Sequence, residues 1–246
     1  MNCFKAIFKR ELQGYFASPL GYVFLVVFLI GAGYIAWAPG LGGFYDSRQA
    51  HLAPLFEFIP YLFVFLVPAI AMRLWAEERR TGTAELLFTM PVTVPQAVLA
   101  KFFAAWSVIA IALAMTGTLA ATAAYLGKPD WGPVVTGYLD SLLLGGLFLA
   151  IGCCCSALSK NQVISFILAV IACIFFLIAG TPPVLELASH VLPGFGLKFV
   201  EAHSLQFHFD SMERGVLEFN DLVFYLGMIM AWLAACIFIL DYQKAR

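Results

Sequence analysis

Charge is scarce in this sequence. Charged residues make up 12% of its 246 positions and hydrophobic residues 62%, against about 25% charged in an average soluble domain. That composition excludes a solvated globular surface, and the lack of any basic tract argues against a nucleic-acid partner. A P-loop is missing as well. No Gly-x-x-x-x-Gly-Lys-Ser/Thr run occurs, and Gly127-Lys128 continues with Pro129, so the chain cannot cradle ATP phosphates in that way. Its four histidines, His51, His190, His203 and His208, all fall outside the long apolar runs, which argues against bis-histidine haem ligation inside a helical bundle. His203 and His208 are five apart rather than four, which does not suit a metal site on one helix face. None of the six cysteines, at positions 3, 153, 154, 155, 173 and 236, lies in a polar outer segment, so no disulfide framework is expected. Consecutive helical residues diverge by about 100°, so Cys153-Cys154-Cys155 reads as small packing residues rather than a metal cluster.

Long apolar runs are abundant. A stretch of about twenty such residues spans roughly 30 Å of hydrocarbon at 1.5 Å per residue. Six are read here, at 20–38, 55–72, 102–126, 134–158, 163–180 and 222–241. The chain is therefore expected to be an all-α integral membrane protein with six transmembrane helices, forming one transmembrane domain over 1–246. Ala36-Trp37-Ala38 has the small-x-small form of a cleavage site, but the preceding run is longer than an ordinary signal core, so the first span is expected to stay as an anchor.

The basic residues orient the bundle. With a cytoplasmic N-terminus, Lys5, Lys9, Arg10, Arg73, Arg79, Arg80, Lys101, Lys160, Lys244 and Arg246 face inward and Arg48, Lys128, Lys198 and Arg214 outward, ten of the 14 against four. This positive-inside bias predicts a multi-pass protein of a bacterial inner membrane with both termini cytoplasmic.

Three segments between or before the spans stand out. In 1–19, Phe4, Ile7, Phe8, Leu12, Tyr15 and Phe16 recur at helical spacing opposite Lys5, Lys9, Arg10 and Gln13. That pattern predicts an interfacial amphipathic helix ending near Ser18-Pro19, or a cytoplasmic extension of the first span. In 73–100, Glu77, Glu78, Arg79 and Arg80 force the chain to the surface. Gly82 and Thr83 then start a short helix to about Thr89, Glu85 favours its first turn and Pro91 stops it, leaving Leu86, Leu87, Phe88 and Met90 as an apolar cluster. In 181–221, Val184–Leu192 is too short to span and reads as a re-entrant or interfacial outer helix, with a second element over Leu197–Phe209; together they form either a lid over the outer end of the bundle or a packed loop.

Asp140 is the deepest ionisable group. An intramembrane carboxylate points to a pathway or seam facing the bundle interior; its alternative is an outer-leaflet group held by the helix macrodipole or by Tyr138 and Ser141. Glu57 sits at the mouth of the second span, where snorkelling accounts for it.

The run Glu77-Glu78-Arg79-Arg80-Thr81-Gly82-Thr83-Ala84-Glu85-Leu86-Leu87, followed by Met90-Pro91 and Lys101, resembles the ABC-2 type transporter permeases. Ser159–Ile164 and Phe209–Asp221 resemble the gliding-motility-associated permease subfamily, of the GldF type. The resemblance implies a six-helix permease subunit, acting as an exporter. It would pair with a second permease half as a homo- or heterodimer and bind cytoplasmic ATPase subunits, which would carry the ATP and Mg; this chain itself would need no cofactor. It also implies a coupling helix over Gly82–Met90, with Glu77, Glu78, Arg79, Gly82, Thr83, Glu85, Leu86, Leu87, Phe88 and Pro91 at the ATPase contact, an elbow helix over Phe4–Phe16 and outer gate helices over Val184–Val216. Beyond the lipid bilayer, an accessory periplasmic protein is a further expected partner. Two other functions remain open: an assembly or anchoring subunit that binds an ATPase without transporting, and an intramembrane enzyme, which would need a nucleophile and partner at the depth of Asp140, where no histidine lies.

Overall fold

The computed structural model describes residues 3–38, 40, 44, 51–83, 92–179, 181, 183, 184, 186, 205 and 219–244. Their long elements are helices: α1 (Cys3–Ala17), α2 (Pro19–Trp37), α3 (Ala53–Ala71), α4 (Arg73–Thr81), α5 (Val94–Met115), α6 (Gly117–Leu126), α7 (Trp131–Leu158), α8 (Gln162–Ile178) and α9 (Phe219–Lys244). Local chemistry sets their starts. Prolines stand in the first turn of α2, α3 and α5, where the missing N–H has no intrahelical partner to lose. Asp130 and Asn161 cap α7 and α8, accepting from the N–H groups of Gly132 and Val163 at 3.1 and 2.9 Å.

The core is organised around α7, which buries 20 of its 28 residues and packs against α3, α4, α5, α8 and α9. Its small residues make that possible. Gly152 comes so close to Ala71 of α3 that a Cβ there would collide with the alanine methyl, and such close backbone approach supplies the van der Waals packing that holds helices together in lipid. By contrast, α9 buries a single stripe, Asp221, Tyr225, Ile229, Leu233, Cys236 and Leu240, at the spacing of one helix face, and leaves residues such as Leu226, Met230 and Phe238 exposed. α1 lies on α5 and α2, with Ile7 and Tyr15 buried and Lys5, Lys9 and Arg10 outward, as its amphipathic pattern predicts.

Among the described residues, five helical stretches are long and apolar enough to cross a membrane: 19–37, 53–81, 94–126, 131–158 and 219–244. They overlap the first, second, third, fourth and sixth expected spans, and all but the first are longer than drawn, the second and third most. α3 and α4 form the second around a break at Met72, one turn after Pro68. α5 and α6 form the third around a break at Thr116, and because α5 begins at Val94 rather than at 102, Lys101 lies inside a helix instead of leading one. The remaining expected span, the fifth at 163–180, is α8, an apolar helix of 17 residues, about 25 Å long. The outer helices expected over Val184–Val216 fall almost wholly outside the described residues.

Candidate functional site

The charged residues that sequence places between the second and third spans are on α4, and they close on groups from two other helices. Lys101, about 10 Å inside α5 by helical rise, is 1% exposed. Its Nζ donates to Glu78 Oε1 at 2.8 Å, to the Leu74 carbonyl at 3.0 Å and to Glu11 Oε1 of α1 at 3.3 Å. Three donors meet three acceptors, and the ammonium also lies 5.1 Å from the centre of the Trp75 ring, a cation–π contact that gains strength where water is excluded. Arg10 completes the cluster, 2.6 Å from Glu11 Oε1 and 3.4 Å from Glu78 Oε1. Two cations and two anions thus tie α1, α4 and α5 together. Glu78 Oε2 is buried without a hydrogen-bond partner among the described residues.

The electrostatics follow from this geometry. Burial works to raise the Glu11 carboxyl, but the charge of Lys101, then the hydrogen bond and charge of Arg10 and the bond from Lys101, outweigh it and hold Glu11 below its ordinary range. The hydrogen bond to Glu11 raises the Arg10 guanidinium against partial burial, helped by the charges of Glu11 and Glu78. Burial, with the charge of Glu11, pushes the Tyr15 phenol up. An open cavity of ≈ 280 Å³ beside the cluster is lined by Glu11, Tyr15, Arg73, Glu77, Glu78 and Lys101 among others.

A second set of contacts fixes α4 to the end of α7. Past the Met72 break, the N–H groups of Trp75 and Ala76 both donate to Ser156 Oγ at 3.0 Å, and the same hydroxyl donates to the Met72 carbonyl at 3.0 Å. Arg79 donates to the Ala157 carbonyl, which also accepts from Gln243 Nε2 of α9 at 3.2 Å, so two side chains satisfy a helix-end carbonyl. Gly82 ends α4 at φ 75°, the left-handed conformation that glycine adopts without the Cβ penalty. The hydroxyls of Thr81 and Thr83 fold back onto the Glu77 and Glu78 carbonyls.

Of the residues singled out from sequence, Glu77, Glu78, Arg79, Gly82 and Thr83 therefore sit at the end of α4, with Glu78 and Arg79 in the two networks and Glu77 paired with Arg73 at 3.2 Å. Glu85, Leu86, Leu87, Phe88 and Pro91 lie outside the described residues. Asp140 is remote from this site, on α7 and 1% exposed. The partners proposed for it are engaged elsewhere: Tyr138 accepts from Thr116 at 3.1 Å, and Ser141 donates to the Gly137 carbonyl at 2.7 Å. Glu57 is exposed, as snorkelling predicts. Sequence reasoning missed Lys101, Glu11 and Ser156. A lysine in an otherwise apolar helix was itself a signal, because an intramembrane charge needs a partner.

No nucleophile–base pair emerges in the cluster, and no group of three or more His, Cys, Asp or Glu that could hold a metal ion occurs among the described residues. What the arrangement can do is transmit position: α4 cannot shift without straining bonds to α1, α5 and α7. A sequence profile of the family described as "ABC-2 family transporter protein" matches residues 14–180, a stretch that contains α2 to α8 and the charged cluster except Arg10 and Glu11. No curated protein matches the chain.

Proposed function

The chain belongs to the ABC-2 family of membrane transporters, and on that premise we propose that it is the permease subunit of an ATP-driven exporter. Its energy comes from separate cytoplasmic ATPase subunits that hold the ATP and Mg and seat on the segment 82–91. Nucleotide-driven closure of those subunits displaces the segment, and binding energy released outside the membrane shifts a two-state equilibrium within it. The observation that carries this reading is the Lys101 cluster. It ties α4, the helix that precedes the proposed contact in the chain, to α1 and α5.

In this reading α8 is the fifth of six crossings, at the lower limit of spanning length, which puts both termini in the cytoplasm of a bacterial inner-membrane protein, as the basic residues favour. α1 serves as the elbow helix and 181–221 as the outer gate. A second permease half, identical or not, completes the transport unit, with an accessory periplasmic protein as a further partner. The likeness of Ser159–Ile164 and Phe209–Asp221 to the gliding-motility-associated permeases supports placing the chain in that subfamily.

Leu87→Asp is the test. Burying a leucine contributes about 1.5 to 3 kcal/mol, so a charge in its place should release the ATPase, seen as loss of co-purification and of ATPase turnover in the reconstituted complex while the permease still inserts. Wild-type binding and turnover in this variant would remove the coupling assignment. ATPase binding retained by the wild type with no cargo movement in a vesicle assay would make it an anchoring subunit instead.

A further inference from the structure

α7 and α9 run parallel and in register. Near their C-terminal ends Cys153 meets Cys236, Sγ to Sγ 3.7 Å. About 10 Å further up, a Cβ on Gly146 would stand 3.2 Å from Ile229 Cδ1. Both pairs are 83 positions apart in sequence, and the same offset sets Asp140 level with Val223, between Asp221 and Tyr225. Those two residues are four apart and open the buried stripe of α9, so both face α7 on one side of the helix. Exposure is 1% for Asp140, 2% for Asp221 and 0% for Tyr225.

Two atoms here are unsatisfied. Asp140 Oδ1 and the Tyr225 hydroxyl oxygen are buried with no hydrogen-bond partner among the described residues, although the two side chains are close enough to interact and Asp221 lies within electrostatic range of both. A carboxylate oxygen left bare in a membrane bundle is costly and calls for a proton, a donor or a cation. Every polar atom these three side chains offer, apart from the phenolic proton, is an oxygen acceptor.

We propose that Asp140, Asp221 and Tyr225 line a binding site for a compact monovalent cation, either a sodium-sized metal ion or a primary ammonium group. Two carboxylates and a phenol provide the hard oxygen ligands that such a metal ion takes and the acceptors that three N–H donors seek. Two carboxylates fall short of the carboxylate-rich shells that hold calcium, which favours a single charge. Contact between the two helices restricts the guest to a small one. The site stands on the geometry of this chain and does not rest on the exporter reading.

The experiment uses the full-length chain in nanodiscs, with ionic strength held constant while N-methylglucamine chloride is replaced by sodium chloride or by methylammonium chloride. Saturation should raise Tm by about 2 to 4 °C over the N-methylglucamine control. A rise with sodium alone assigns the metal ion, and a rise with methylammonium alone assigns the amine. Asp140→Asn, which keeps size and removes charge, should abolish the response, and Tyr225→Phe, which removes only the hydroxyl, should weaken it at least tenfold in concentration. Equal Tm in all three salts overturns the proposal, as does a response unchanged in both variants. Should Asp140→Asn fail to fold, Tyr225→Phe decides alone: a weakened response upholds the site and an unchanged one removes it.

Discussion

Lys101 and Asp140 are equally buried, each 1% exposed, yet their surroundings differ. Around Lys101, three acceptors within 3.3 Å and an aromatic face leave no ammonium proton idle. Around Asp140, the nearby phenol and the buried neighbour Asp221 leave one carboxylate oxygen without a bond among the described residues. A buried charge that is fully bonded holds helices in place, and removing one partner is strongly destabilising. One that is incompletely bonded adds little to the fold, and its retention is better explained by something it binds.

The sharpest way to break this contrast is to neutralise both residues in turn. Lys101→Met should be the most damaging change, leaving Glu11 and Glu78 with only the exposed Arg10 between them in place of their buried cation, at a cost of about 3 kcal/mol read as a lowered Tm and reduced yield. Asp140→Asn, measured in N-methylglucamine salt, should hold or raise Tm, because an amide is cheaper than a carboxylate to leave incompletely bonded. If Asp140→Asn is the more destabilising of the two, the comparison fails. Ser156→Ala comes next. It removes one acceptor shared by two N–H groups, at about 1 to 2 kcal/mol, and hydrogen exchange should quicken at Trp75 and Ala76 before it does in the rest of α4.

The smallest effect is a pH dependence confined to the Lys101 cluster. Glu11 is lowered from its ordinary value of 4.5. Its contribution to stability is therefore complete above about pH 4.5 and is lost as pH falls through the lower value it has in the folded chain. Glu11→Gln should lower Tm near neutrality, where the carboxylate's contribution is complete, and flatten the profile below pH 4.5, where the wild type falls toward the variant.

Sequence reading found the helices more readily than their connections. Apolar runs located the long helices because their length and composition are local, and the alternation of Phe4, Ile7, Leu12 and Tyr15 with lysines described α1 correctly. Asp140 was visible because a carboxylate in an apolar run is an anomaly by itself. The Lys101 cluster was not, since Lys101 lies 90 positions from Glu11 and 23 from Glu78, and only the packing of α1 on α5 brings them together. Ser156 was hidden in a cysteine-rich stretch that reads as packing, though its hydroxyl holds α4. Asp221 fell just outside the last span as drawn from 222, so its pairing on one face with Tyr225 went unread, although the stripe continuing to Leu240 carries the spacing. The apolar residues from Leu86 to Met90, on which the proposed partner contact depends, lie beyond the described residues, and only sequence speaks for them.

The single hydroxyl of Ser156 has a mechanical consequence. By chain order α4 continues α3, but its first free N–H groups and the Met72 carbonyl are bonded to α7, its Arg79 reaches the end of α7, and α4 packs more extensively on α7 than on α3. Mechanically, α4 is a bracket on the central shaft, set off from α3 at the Met72 break. If the proposed ATPase contact holds, a push arriving through Gly82 would pass through α4 to α7, the helix against which five others rest, rather than along α3.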